Sequence, residues 1–191
     1  MPRIRDVSKI GIIYQATLKL VLDTGFTNLK MADVARSAKL ATGTLYIYFK
    51  SKEDLINELF LNIKQQKMDD LMTLFNPANT YEVSFRKLWF NYTQISLVEP
   101  ERMIFIETFV RSPYLSRRTK LRSDQMLKPL EDFLRVGIRK RIIKNFPVQL
   151  LMAQLMGPVH EMVKLQYDNK VKLTPKLMEA SFQMAWNGVK K

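Results

Sequence analysis

Apolar residues recur at intervals of three and four along most of the chain, and runs alternating every second residue are few, so the pattern predicts helices throughout. Ile10, Ile13, Tyr14, Thr17, Leu18, Val21 and Leu22 form a first stripe, which stops at Asp23-Thr24-Gly25, where a glycine can take the left-handed conformation. Met31, Val34, Ala35 and Ala38 predict a short second helix, broken by Lys39-Leu40-Ala41; Thr42 to Tyr48 predict a third. Ser51 is a good N-cap for a fourth, with Glu53 and Asp54 complementing the dipole of its first turn. Its stripe of Leu55, Ile56, Leu59, Phe60 and Ile63 extends towards Phe75.

Prolines punctuate the rest. Pro77, Pro100, Pro113, Pro147 and Pro175 fall between periodic segments, which predicts helices over about 80–98, 100–111, 116–144, 147–168 and 175–190. Pro129 and Pro158 lie inside two of these segments and predict a kink or an interruption there. The expectation is an all-α protein of about nine helices. Segment 100–111, with Met103, Phe105, Phe109 and Val110, is apolar nearly all round and is expected to be central.

Charge adds a functional direction. The 191 residues carry a formal net charge of +13. Up to Lys52 there are nine basic and three acidic residues, a net of +6, while the other 139 residues share the remaining +7. The amino-terminal quarter is thus about twice as basic per residue, which favours a polyanionic partner for that part. No apolar run is long enough to span a bilayer and no signal peptide is evident, so a cytoplasmic location is expected.

Composition also removes chemistry. The absence of cysteine excludes disulfides, Cys-ligated metal centres and thiol catalysis, and a single histidine excludes a multi-histidine metal site within one chain. His160-Glu161 begins like a zinc-helix motif, but position 164 is lysine; His160 reads as a satisfied core or interface residue. The six glycines form no phosphate-cradling loop. No catalytic constellation, cofactor or metal is expected, and the chain reads as a binding protein.

Three short helices followed by a longer one, with a tight turn before the third, describe a helix-turn-helix unit. Thr42-Gly43-Thr44-Leu45-Tyr46-Ile47-Tyr48 offers one anchor, Leu45, among hydroxyl, small and aromatic groups suited to phosphates and base edges. Together with Thr24-Gly25-Phe26, Met31-Ala32-Asp33-Val34-Ala35, Ala38-Lys39-Leu40 and Lys52-Glu53-Asp54-Leu55, this stretch resembles the TetR family of transcriptional regulators over about residues 8–56. The run to Leu71 and the regions of Trp89 and Trp186 are also similar to RamR-type drug-responsive repressors of that family.

The resemblance implies a homodimeric repressor released from a palindromic operator in double-stranded DNA by a small hydrophobic or aromatic effector. It implies a DNA-binding domain over 1–51 and a ligand-binding and dimerisation domain over 52–191. By the same resemblance Thr42, Thr44 and Ile47 would read bases, Tyr46, Tyr48 and Lys52 would hold phosphates, and Gly43 would permit close approach. Lys30 stands where the family has threonine and would supply another phosphate contact; Arg3 and Arg5 form a basic arm. Two departures are visible: Lys39 occupies the position of the turn glycine, and Ala41 that of a serine cap, leaving Thr42 as the nearest capping hydroxyl.

For the larger domain, Phe60, Trp89, Tyr92, Phe105, Phe109 and Met156 are the expected pocket walls, since aromatic and adaptable methionine side chains suit a bulky apolar ligand. Leu151, Leu155, Met162, Met178, Phe182 and Trp186 are the expected dimer interface, on faces of 3–4 spacing in the last two helices. Arg135, Arg139, Lys140, Arg141 and Lys144 form a basic run that reads as a solvated face, with a contact to an anionic ligand or DNA as the sharper alternative.

Overall fold

The computed structural model describes residues 7–73 and 75–191, among which there are ten helices and no strand. They are α1 (Val7–Asn28), α2 (Met31–Ser37), α3 (Thr42–Tyr48), α4 (Lys52–Met72), α5 (Tyr81–Val98), α6 (Pro100–Val110), α7 (Arg117–Met126), α8 (Lys128–Arg139), α9 (Val148–Tyr167) and α10 (Pro175–Val189). The tenth helix arises because segment 116–144 divides at Leu127. Pro129 has no N–H to donate to a preceding turn, so it sits in the first turn of α8, where none is required. Pro158, by contrast, stays within α9, which runs through it without interruption.

The chain folds as two compact units, 1–64 with 104–122 and 65–103 with 123–191. The divisions between these units fall within α4, α6 and α7.

In the first unit, the helix stop expected at Gly25 is a kink instead, and α1 runs on to Asn28. Gly25 has φ 78° and ψ 165°, a region essentially reserved for glycine, and kinks α1 there. The kink directs Phe26 onto Phe105, Phe109 and Tyr114, with ring centroids 5.8, 5.4 and 6.1 Å away. Ser51 caps α4 by accepting from the Asp54 backbone N–H at 3.1 Å, while the Asp54 carboxylate accepts from Lys50 N–H at 2.9 Å. Glu53, on the same turn, is held below the usual carboxylate range by its own backbone N–H and by the Ser51 hydroxyl. Ile13, Val34, Leu45, Leu55, Phe60 and Phe105 are fully buried and form this core.

In the second unit, Thr80 and Thr174 cap α5 and α10 by accepting from Val83 and Leu177 N–H. Gly137 of α8 is a close-approach position: a Cβ there would lie 2.3 Å from the Tyr81 ring, which stacks on Phe133 at 4.5 Å. Phe85, Trp89, Phe182 and Trp186 form an aromatic cluster, with Phe85 and Trp186 centroids 4.8 Å apart and Trp89 and Phe182 centroids 5.6 Å apart. An isolated antiparallel bridge between Ile143 and Lys190 closes the end of α10 onto the segment after α8.

Candidate nucleic-acid interface and effector cavity

The turn between α2 and α3 is set by Lys39, whose φ of 55° is left-handed although it carries a side chain. Leu40 N–H donates to Ala35 O at 2.9 Å and Ala38 N–H to Val34 O at 2.8 Å, so the turn ends α2 in the manner a glycine usually provides. Ala41 begins α3 with no side-chain cap, and Thr42 does not replace one. Within α3 only Leu45 is buried, and Phe49 follows it into the core. Thr42, Gly43, Tyr46 and Ile47 are exposed, and Thr44 and Tyr48 are half-buried. Tyr46 and Ile47, 54% and 45% exposed, are large side chains that the monomer does not use for packing. Nothing lies within 4 Å of a Cβ built on Gly43, so its backbone is open to an approaching surface. Lys30 is exposed at the start of α2. Arg3 and Arg5 lie outside the described residues.

Lys52, expected to hold a phosphate, has partners within the first unit. Its Nζ donates to Phe26 O and Thr27 O, both at 3.3 Å, and stands 5.1 Å from the centre of the Tyr114 ring. The ammonium therefore satisfies carbonyls at the end of α1, where a helix dipole favours positive charge. Asn57, one turn further along α4, is a second fastener: its amide donates to Glu53 O at 2.7 Å and Tyr114 O at 2.9 Å and accepts from Ser116 N–H at 3.1 Å. Periodicity gave no sign of Asn57, because a polar residue on an amphipathic helix reads as solvated.

The second unit contains an apolar cavity with about 50 Å³ of open space. Its walls are Phe85, Leu88, Trp89 and Tyr92 of α5, Leu130, Phe133 and Leu134 of α8, Met152, Leu155 and Met156 of α9, and Leu71 of α4. Three of the expected wall residues, Trp89, Tyr92 and Met156, are thus brought together. Phe60, Phe105 and Phe109 are not: they pack on one another in the first unit, with centroid distances of 5.0 Å for Phe60–Phe109 and 5.7 Å for Phe105–Phe109. Helical spacing identifies an inward face but not the neighbour it meets, so core and cavity phenylalanines look alike in sequence. The Trp89 indole N–H and the Tyr81 hydroxyl are buried without a protein partner, and burial pushes the Tyr81 phenol well up.

Behind one wall residue of the cavity, Tyr92, the chemistry becomes polar. The Tyr92 hydroxyl and His160 Nε2 are hydrogen-bonded at 2.5 Å, so His160 is a satisfied histidine. Lys67 Nζ donates to Ser96 Oγ at 2.7 Å and lies 4.4 Å from the Tyr92 ring centre. Burial pushes the Lys67 ammonium down to about 8, against an opposing pull from Glu99.

Of the residues expected at a dimer interface, Leu151, Phe182 and Trp186 are only 2%, 2% and 6% exposed, because they pack inside the chain's own core. Leu155, Met162 and Met178 are half-buried. The apolar side chains that α9 and α10 turn outward are others, led by Leu150, Leu177 and Met184 at 54%, 46% and 71% exposure. In the basic run, Arg135 pairs with Glu131 at 3.6 Å, Lys144 donates to Gly188 O at 2.9 Å, and Arg139, Lys140 and Arg141 are exposed.

A short helix presented on one buried leucine after a tight turn, in a chain that continues into a second helical unit with a cavity of its own, is the arrangement of a helix-turn-helix protein. The pattern of bacterial regulatory proteins of the tetR family matches residues 13–59, and that of the tetracyclin repressor-like C-terminal domain matches residues 81–190. The chain belongs to the TetR family of transcriptional regulators, which are DNA-binding proteins and not enzymes. A TetR family regulator from Marinobacter aquaeolei is 28% identical with a TM-score of 0.91, the match covering 99% of each chain. An uncharacterized HTH-type regulator of Haemophilus influenzae is 30% identical over 79 residues, 41% of this chain and 42% of that one, so less than half of this relative is matched. The fold is shared by the regulator FadR of Bacillus subtilis, solved in complex with stearoyl-CoA, at 19% identity and a TM-score of 0.75 over 93% of this chain and 98% of that one. No helix among the described residues is long and apolar enough to cross a membrane.

Proposed function

We propose that this regulator is a homodimeric repressor, bound to a palindromic operator in double-stranded DNA and released by a small hydrophobic or aromatic effector. The observation that carries the reading is α3, whose exposed Thr42, Gly43, Tyr46 and Ile47 have no packing role. Tyr46, Thr44 and Tyr48 bring hydroxyls for phosphates or base edges, and Ile47 an apolar contact suited to a thymine methyl. Lys30, rather than Lys52, is the cation best placed to meet phosphate, because the Lys52 ammonium is already held by α1 carbonyls.

Pairing two such heads places half-sites about 34–36 Å apart, and two modest affinities then act together. The outward apolar residues of α9 and α10, with Leu155, Met162 and Met178 beside them, supply the surface for a second copy. For the effector, the cavity's methionines and aromatic rings suit an apolar molecule, and about 50 Å³ requires those side chains to move on binding. Trp89 lines this cavity and Trp186 does not, so of the two tryptophans only the first supports a RamR-type drug response.

Binding-site selection from random duplexes, followed by titration of the selected site, tests the reading. Tyr46→Ala should weaken operator binding by about 10- to 100-fold, in line with the loss of one good contact, without changing thermal stability. Failure to select any sequence, or an unchanged affinity in Tyr46→Ala, would overturn it.

A further inference from the structure

The polar groups beside the cavity form a layer. Leu71 of α4, Tyr92 of α5 and Met156 of α9 line the cavity. Lys67, Ser96 and His160 each lie four residues, one helical turn, from those positions on the same helix faces. The contacts confirm that they meet: Lys67 reaches Ser96 and the Tyr92 ring, and Tyr92 reaches His160.

Lys67 is poorly compensated within this layer. Removing an ammonium from water is costly unless a counter-charge is close. No carboxylate of the described residues forms an ion pair with Lys67; a neutral hydroxyl and an aromatic face are its near contacts, and Glu99 acts only at longer range. A cation without a counter-charge, one turn beyond the cavity wall at Leu71 and against the ring of Tyr92, is what an amphipathic anion would match, with its tail among the methionines and its charge at the ammonium.

We propose that the cavity binds an amphipathic carboxylic acid, its apolar body against Met152 and Met156 and its carboxylate on Lys67 beside Tyr92 and His160. This rests on the reading of the cavity as an effector site.

The test uses the full chain with three probes sharing one tail: octanoate, 1-octanol and octyltrimethylammonium. Affinity is followed by titration calorimetry and location by the methyl NMR signals of Met152 and Met156. Octanoate should bind about tenfold or more tighter than octanol, the scale of one charge-assisted hydrogen bond, with the trimethylammonium probe weakest. Lys67→Met should bring octanoate within about twofold of octanol while leaving octanol binding unchanged; Lys67→Gln serves if the methionine variant does not fold. Equal affinity for octanoate and octanol in the native chain, or an advantage that survives removal of Lys67, overturns the acid assignment while both probes still mark Met152 and Met156. If no probe moves those signals, the cavity reading falls with it.

Discussion

Lys67→Met isolates the cost of keeping a cation in the cavity layer. In the folded chain the ammonium is lowered from 10.5 to about 8, chiefly by desolvation. At about 1.4 kcal/mol per tenfold change, the charged form is disfavoured by roughly 3 kcal/mol in the folded state. Methionine keeps the length of the buried stem and removes the charge. It also removes the hydrogen bond to Ser96 and the contact with the Tyr92 ring, together worth about 2 kcal/mol. The variant should therefore be more stable than the native chain at pH 7 by about 1 kcal/mol, or ~2–4 °C in Tm for a chain of this size.

The pH dependence follows from the direction of the shift. A folded-state value below the unfolded one means that the unfolded chain binds more protons between about 8 and 10.5, so native stability rises with pH across that window. The advantage of Lys67→Met should thus be complete below pH 8 and fade towards 10.5. Urea denaturation of both proteins at one protein concentration, at pH 7 and at pH 10, measures this. A variant less stable than the native chain at pH 7, or a difference that does not shrink with pH, would refute the reasoning. A gain in stability coupled to loss of acid binding would show that the native residue is kept at the expense of the fold.

Other substitutions probe the remaining inferences. Lys52→Ala should lower stability by about 1 kcal/mol, by freeing the end of α1, and leave the salt dependence of operator binding unchanged; a phosphate contact would instead reduce that slope by about one. Gly137→Ala should destabilise by about 1–3 kcal/mol in chemical denaturation, because the new methyl must displace a Tyr81 ring already stacked on Phe133. Lys39→Gly should raise stability by about 0.5–1 kcal/mol in the same assay, since the left-handed turn no longer strains a side chain.

Much of the first unit was legible because its signals are local. Gly25, the Ser51 cap with Asp54, and the break at Lys39 each act within a turn of their own position: the cap and the break coincide with observed helix ends, whereas Gly25 kinks α1, which runs on to Asn28. Pro129 likewise marked the site of an interruption whose consequence, an extra helix, depends only on its missing donor. Tertiary partners were not legible. Phe60 and Trp89 share the same inward periodicity, but one fills a core and the other faces a cavity. The stripe of Phe182 and Trp186 reads as an interface face in sequence, because nothing in it reveals that Phe85 and Trp89 cover it. Lys67 did leave a trace: it stands between Ile63 and Leu71 on one i, i+4 row, a lysine within an otherwise apolar line. A charge in such a row is the mark by which a functional group in a buried face can be sought.

The single-leucine attachment of α3 bears on how proteins of this build diversify. Leu45 is the only buried side chain within α3, with Phe49 just beyond it, so the exposed positions of the helix can change with little disturbance to the fold. New sequence preferences are then available by drift at four or so side chains, with no compensating repacking. Copies of such a gene would separate in the DNA they read well before they separate in shape.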